Sequence, residues 1–429
     1  HYHVEDLYRL AQAAWRSLQN RRPGEPRVVI MTPDQVAVTE EDSGRDICVI
    51  EAVNDDKPFL FGSLSNELHA QNIEIHLVVH PIFAVERDEN GRLIGFHGEA
   101  RPGDGFRHES FVHVHIAAID DQATRDELQA ALMAVHRDVD AAVADWPKMR
   151  KAVSEIIDDY QATPPPVPRA ELDEALAFLK TIESNQFILT GMRQYRLDGS
   201  PDEGELIPVS EEGLGILRDP QIKVLRRGNE LVTLNSEVRA FLRRSAPVYI
   251  SKANVRSRVH RNVHLDYIGV KRYENGVLAG ELRIVGLFTS EAYTESVLEL
   301  PMVRRKVRAV IEELGYDPDS HSGNALVNIL ENYPRDELFQ IDEDKLLEIA
   351  TGILHLQERQ QVALFVREDA FKRYISCLVF VPRERYNTYL RQDMQDILAR
   401  GFNGQPAAFF TQLGDSPLAR VHLIIKLMG

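Results

Sequence analysis

Two stretches of this sequence carry residues that could hold a small anion. In "VNDDKPFLFGSL", Asn54, Asp55, Asp56, Lys57 and Pro58 join an apolar run to a helix-like segment opening at Phe59 and Leu60. Such a strand-to-helix joint presents backbone N–H groups and the positive end of the helix dipole, where a carboxylate can sit. The competing reading is turn chemistry, in which short polar residues cap the helix and Pro58 suits its first turn. The second stretch is the basic run Lys252, Arg256, Arg258, Arg261 and His264. Arginine offers fork-shaped donors to a carboxylate, which makes Arg256 and Arg258 candidate anion contacts. A solvated loop paired with acidic neighbours accounts for the same run.

Other chemistry is thinner. His76, His80, His108, His113 and His115 cluster in the first third of the chain, and His113 and His115 share one face of a strand. A metal site needs such convergence plus further ligands, and no metal ligand is assigned. The sequence contains no G-x-x-x-x-G-K-[ST], no G-x-G-x-x-G between a strand and a helix, no H-E-x-x-H and no C-x-x-C. That speaks against a self-contained kinase, dehydrogenase or zinc enzyme, and no catalytic or cofactor-binding residue is assigned. Cys48 and Cys377 lie in apolar, strand-like contexts, as buried thiols in a reducing compartment would, so a cytoplasmic location is expected. The net charge of −16 repels nucleic acid and anionic membranes. No apolar run approaches the ~18 residues of a membrane helix. The chain opens at His1 and stops at "HLIIKLMG", and both ends look cut, so a fragment of a longer protein is expected.

These residues need elements to position them. Residues 5–20 repeat apolar residues at helical spacing, and Val28–Met31 and Ile47–Val53 read as strands. The joint follows, then a helix with Leu60, Leu64 and Leu68 on one stripe. "IEIHLVVHPIFAVERDENGRLIGF" predicts a pair of strands turned at Asp88–Gly91, and "ESFVHVHIAAI" one more. This order fits an antiparallel sheet with helices on one face, a ferredoxin-like α+β fold. A heptad seam runs through Leu128, Leu132, Val135, Val139, Ala142, Trp146, Met149, Val153, Ile156 and Tyr160. Pro147 should kink it or start a second helix, which favours two helices packed on their own domain over a subunit-contacting helix. The expected organisation is an N-terminal helix (1–29), an α+β domain with long helices (30–160), a stiff linker "QATPPPVP" (161–168), an α+β domain (169–295), a helical linker (296–368) and a β-α-β-β module (369–429).

Five stretches, "VNDDKPFLFGSL", "SNQFILTGMRQY", "VHRNVHLDYIGVKRYENGVLAGELRIVGLFTSEAY", "LGYDPDSHSGNALVNILENYPRDELF" and "SCLVFVPRERYNT", resemble the N-terminal region of the large bacterial NAD-dependent glutamate dehydrogenases. The resemblance implies a multi-domain α+β chain in which ferredoxin-like, ACT-like βαββ modules flank a PAS-like module, with helical linkers. It places residues 30–160 and 369–429 in the ACT-like modules and 169–295 in the PAS-like one. It also implies a non-catalytic region for regulation and oligomerisation. The downstream catalytic domain would carry NAD and convert L-glutamate to 2-oxoglutarate and ammonium. Self-association, that catalytic domain and an amino-acid effector are the implied partners; nucleic acid and membrane are not. ACT domains commonly bind amino acids on an Asp-x-Pro-Gly-Leu pattern at their first strand-to-helix joint. Here the pattern reads Asp56-Lys57-Pro58-Phe59-Leu60, which implies an effector set of Asn54, Asp55, Asp56, Phe59 and Leu60. Phe59 stands where glycine would admit a ligand to the backbone; it could instead fill that space or pack against a neighbouring module. A free-standing ACT/PAS sensor is the alternative reading, and a compact enzyme with an unrecognised site a third.

Overall fold

Ile47 to Val53 is apolar at nearly every position, the pattern of a strand covered on both faces. The computed structural model of the protein describes residues 4–36, 39–40, 45–201, 204–209, 213–222, 224–227, 230–231, 236–358, 361–414 and 416–428. They form two units: His1–Pro147 with Leu214–Arg218 and Arg256–His264, and Lys148–Gly213 with Asp219–Val255 and Leu265–Gly429.

In the first unit, β1 (Arg27–Met31), β2 (Arg45–Asp55) and β6 (Arg107–Ala117) lie side by side, antiparallel. The other edge of β6 takes β3 (Ile75–Val79) and β4 (Ile82–Arg87) end to end, and β5 (Leu93–Glu99) closes against β4. The stretch expected to hold two strands thus holds three. His80 and Pro81 separate β3 from β4, because proline cannot donate to the ladder. The expected turn is present at Gly91, whose φ is +83° and where a Cβ would lie 2.7 Å from the Arg21 backbone.

One face of this sheet, including Cys48, Ile50, Val112, Val114 and Ile116, packs on Leu60, Leu64 and Leu68 of α2 (Leu60–Ala70) and on Leu128 to Ala142 of α3 (Gln122–Ala162). The other face packs on α1 (Val4–Gln19): Ile47 and Val49 meet Leu10, and Val53, Val85 and Phe111 meet Leu18. The expectation of helices on one face is therefore corrected, and the nearly continuous apolar run of β2, interrupted only by Glu51 between Ile47 and Val53, is the physical reason. The seam lies in one 41-residue helix with Pro147 inside it, not two. Proline deletes one backbone bond, at about 3 kcal/mol. Burial of Leu132 and Val139 before it and of Met149, Val153 and Ile156 after it holds the helix on both sides.

In the second unit, β7 (Phe187–Asp198), β11 (Val277–Phe288), β10 (His264–Glu274) and β9 (Val248–Arg256) form a sheet in that order, with β8 (Glu205–Pro208) beside β7. β10 turns into β11 at Asn275 and Gly276, both at positive φ, as a tight hairpin requires. α4 (Arg169–Thr181) buries Leu172, Ala175, Phe178 and Leu179. After a short helical turn at Ser290–Thr294 come α5 (Arg304–Leu314), α6 (His321–Glu331), α7 (Arg335–Gln340) and α8 (Glu343–Glu358). The Ser320 hydroxyl caps α6 by accepting from the Gly323 N–H at 3.0 Å.

The C-terminal module is an antiparallel sheet ordered β12 (Ala363–Glu368), β13 (Tyr374–Pro382), β15 (Leu418–Leu427), β14 (Gly404–Gln412), with α9 (Thr388–Gly401) on one face. β12 precedes the boundary expected at 369; its "ALFVRE" is too short and charged to declare itself apart from its partner β13. Among the described residues no helix is long and apolar enough to cross a membrane.

Candidate functional site

The joint that raised the question lies between the end of β2 and α2. Asn54 is fully buried. Its Nδ2 lies 3.1 Å from Nδ1 of His136 and 3.1 Å from Oδ1 of Asp140, both on α3. Lys57 Nζ reaches the same Asp140 oxygen at 2.6 Å. Asp55 receives Arg21 at 2.6 Å, Arg107 at 3.2 Å and the Gly24 N–H at 3.0 Å. Burial opposes its charge, but Arg21 and Arg107 hold its carboxyl below the usual range. The Asp55 N–H donates to Asn54 Oδ1 at 2.8 Å, and the Asp56 N–H to the His108 carbonyl at 3.0 Å. Two backbone donors of the joint are thus engaged by the chain itself.

Phe59 stands at the start of α2 with φ 69° and ψ −13°, the left-handed conformation that glycine adopts freely. Leu60, one position on, is buried in the core. The Phe59 ring is 38% exposed and meets His260 edge-on, with centroids 5.5 Å apart. Segment Arg256–His264 covers this helix end. The His260 N–H donates to Ser63 Oγ at 2.8 Å, Asn66 Nδ2 donates to the His260 carbonyl at 2.5 Å, and Val259 enters the core. Of the two candidate anion contacts, Arg256 donates to Asn262 Oδ1 and to its carbonyl at 2.9 and 2.7 Å, and Arg258 donates to Asp138 at 3.2 Å. The structure therefore brings Arg258 and the joint into one unit and turns both arginines toward internal acceptors.

His136 is the residue that sequence reasoning missed. Burial, then the charges of Lys57 and Arg21, lower its pKa to about 4, so the ring is neutral at pH 7. Because Nδ1 accepts from Asn54, Nε2 carries the proton, and that buried N–H has no partner among the described residues. A signal existed: His136 and Asp140 sit four apart on a helix, each one position beyond a seam valine. His113 and His115 do converge, with Nε2 atoms 2.8 Å apart and Nδ1 of His113 3.1 Å from buried Glu51. Among the described residues no His, Cys, Asp and Glu group is arranged to hold a metal ion.

The second unit holds a different constellation. Lys252 on β9 lies 2.6 Å from Asp266 and 3.1 Å from Asp336, and the Tyr293 hydroxyl donates to Asp336 at 2.6 Å. Burial works against the Lys252 charge, but the two aspartates overcome it and hold the ammonium protonated. Arg367 grips Glu337 through two bonds of 2.6 and 2.9 Å. Arg373 grips Asp369 and donates to the Lys252 carbonyl at 2.6 Å and to Ser251 Oγ at 2.8 Å. One polar network thus ties β9 and β10 to α7 and to the C-terminal sheet.

Fold and site together define an α+β chain built from ACT-type modules joined by helices. Family models agree: the glutamate dehydrogenase ACT1 domain matches residues 1–132, helical motif 1 matches 300–359 and the ACT2 domain matches 363–429. The NAD-specific glutamate dehydrogenase of Halomonas elongata is 33% identical over 99% of this chain and 26% of its own length. That of Pseudomonas aeruginosa is 30% identical over 99% and 26%. That of Mycobacterium tuberculosis is 28% identical over 88% and 22%. The chain belongs to the NAD-specific glutamate dehydrogenase family, as an N-terminal region of it. It spans about a quarter of the length of the curated relatives it matches.

Proposed function

We propose that this chain is a non-catalytic regulatory and assembly region of an NAD-dependent glutamate dehydrogenase. The parent enzyme oxidises L-glutamate with NAD and water to 2-oxoglutarate, ammonium and NADH in the cytoplasm, with NAD held by a downstream catalytic domain. In this reading residues 169–295 act as a PAS-like module. The ACT-type sheets pair with copies of themselves, and the edge of β3 that meets no strand among the described residues, where Leu77, Val78 and Val79 are exposed, supports such pairing. An amino acid is the effector assigned to the joint at Asn54–Leu60. One observation carries the reading: the ACT1, helical-motif and ACT2 matches fall, in order, on the sheet-and-helix module, the helical stretch and the second sheet-and-helix module. Light scattering and calorimetry on the isolated chain test it. A homo-oligomer, or saturable heat with an amino acid, is expected. A strict monomer that binds no amino acid or nucleotide metabolite removes both jobs, and glutamate-dependent NADH formation by this chain alone refutes the non-catalytic role.

A further inference from the structure

Phe380 on β13 and Arg420 on β15 are register partners, so their side chains stand on one face of the C-terminal sheet. α9 covers the opposite face through Val379, Val381 and Val421. On the Arg420 face, between the sheet and helices α6 and α8, lies a half-open cavity of about 380 Å3. Ile329, Ile353, Leu356, Phe380 and Leu418 give it an apolar floor. Asn328, Tyr333, Gln412 and Arg420 supply the polar groups. No described acidic side chain lines it.

Arg420 differs from the other arginines of this module. Arg367 and Arg373 each hold a carboxylate, at 2.6 and 2.7 Å. Arg420 donates to the Asn332 carbonyl and forms no ion pair among the described residues. Burial draws its pKa down to about 10, which leaves it cationic at neutral pH. Tyr333 is 3% exposed, and its hydroxyl makes no hydrogen bond to a described residue. Burial, then the nearby Glu337 carboxylate, raise the Tyr333 pKa and keep the phenol a neutral donor, while the Arg367 and Arg420 charges oppose them. Among the described residues, a half-buried guanidinium without a carboxylate and a phenol without an acceptor therefore meet at one apolar pocket. A carboxylate oxygen would accept from both. The apolar floor asks for hydrocarbon beside it. No described lining residue offers a carboxylate to an ammonium group.

We propose that this cavity binds a small organic carboxylate with an apolar body, its carboxylate on Arg420 and the Tyr333 hydroxyl and its hydrocarbon on Ile353, Leu356 and Phe380. The ligand would bridge α6 and α8 to the C-terminal sheet. The cavity shares no residue with the joint at Asn54–Leu60, and its test reads binding alone.

Calorimetric titration of the whole chain with isovalerate, isovaleramide, leucine and inorganic phosphate tests it. Saturable one-to-one heat with isovalerate is expected, weaker heat with leucine, and none with the amide. Arg420→Gln should weaken isovalerate at least tenfold with an unchanged melting temperature. Should that variant not fold, Gln412→Trp, at an exposed position of the cavity lining, keeps Arg420 and should abolish binding by filling the pocket. No saturable heat with isovalerate overturns the proposal, as does equal binding of the amide or of phosphate, or full binding by both variants. Asp415 lies outside the described residues between the lining residues Gly414 and Ser416. Binding that appears only in Asp415→Asn would show that Arg420 is already paired, and would overturn the proposal equally.

Discussion

Phe59 offers a direct measure of how the ACT-type joint is built. A non-glycine residue in the left-handed region costs about 1–2 kcal/mol, and Phe59 sits there at φ 69°. Its ring recovers part of that cost edge-on against His260, a contact worth about 0.5–1 kcal/mol. Phe59→Ala loses the ring and keeps the strain; Phe59→Gly loses the ring and removes the strain. The glycine variant should therefore be the more stable of the two, by about 1 kcal/mol. The two tryptophans of the chain, Trp15 and Trp146, both lie in the first unit, so fluorescence-detected urea unfolding reads that unit. With a slope of about 2–3 kcal/mol/M, the midpoint of the glycine variant should lie about 0.4 M above that of the alanine variant. Equal midpoints, or an alanine variant more stable than the glycine variant, would refute the reasoning, since the left-handed backbone would then carry no penalty. The same glycine variant restores the pattern that gives ligands access to the backbone.

Three further outcomes follow from buried polar groups. The His136 pKa of about 4 lies below its ordinary 6.5, so the unfolded chain takes up the proton first. The contribution of His136 is complete above pH 6.5 and falls as pH drops toward 4, by about 3 kcal/mol in all; tryptophan-detected unfolding across that window should show the slope, and His136→Gln should flatten it. Asp145 is fully buried and accepts two bonds of 2.6 Å from Arg218 and one of 2.8 Å from the Gly215 N–H. Asp145→Asn keeps the shape but loses the charge and should cost about 2 kcal/mol by the same fluorescence assay, with neighbouring Trp146 as reporter. Lys252→Met leaves Asp266 and Asp336 without their cation and should cost about 3–5 kcal/mol. Amide exchange in β10 should accelerate in Lys252→Met, and adding Asp266→Asn should slow it again.

The Asn-Gly hairpins, the strand-to-helix joint, the two β-α-β-β passages and the buried seam were legible because each rests on spacing over a few residues. Periodicity sets which face a side chain takes, and positive-φ turns need particular residues. The second helical layer over the first sheet was less legible: the nearly continuous apolar run Ile47–Val53 demanded it, but nothing local named α1 as the cover. The strand β12 and the single helix through Pro147 depended on partners elsewhere in the chain, which supplied the hydrogen bonds and burial their own residues could not.

The side chains that complete each site were decided by tertiary structure alone. His136 and Asp140 reach Asn54 across more than eighty residues, and His260 reaches Phe59 from still farther. Arg420 looks in sequence like any strand arginine; only the fold sets it beside Tyr333 and, among the described residues, apart from any carboxylate. Sequence fixes the type, order and local geometry of the elements, because these depend on neighbours along the chain. Which charges find partners depends on distances through space, and those exist only once the sheets and helices have packed.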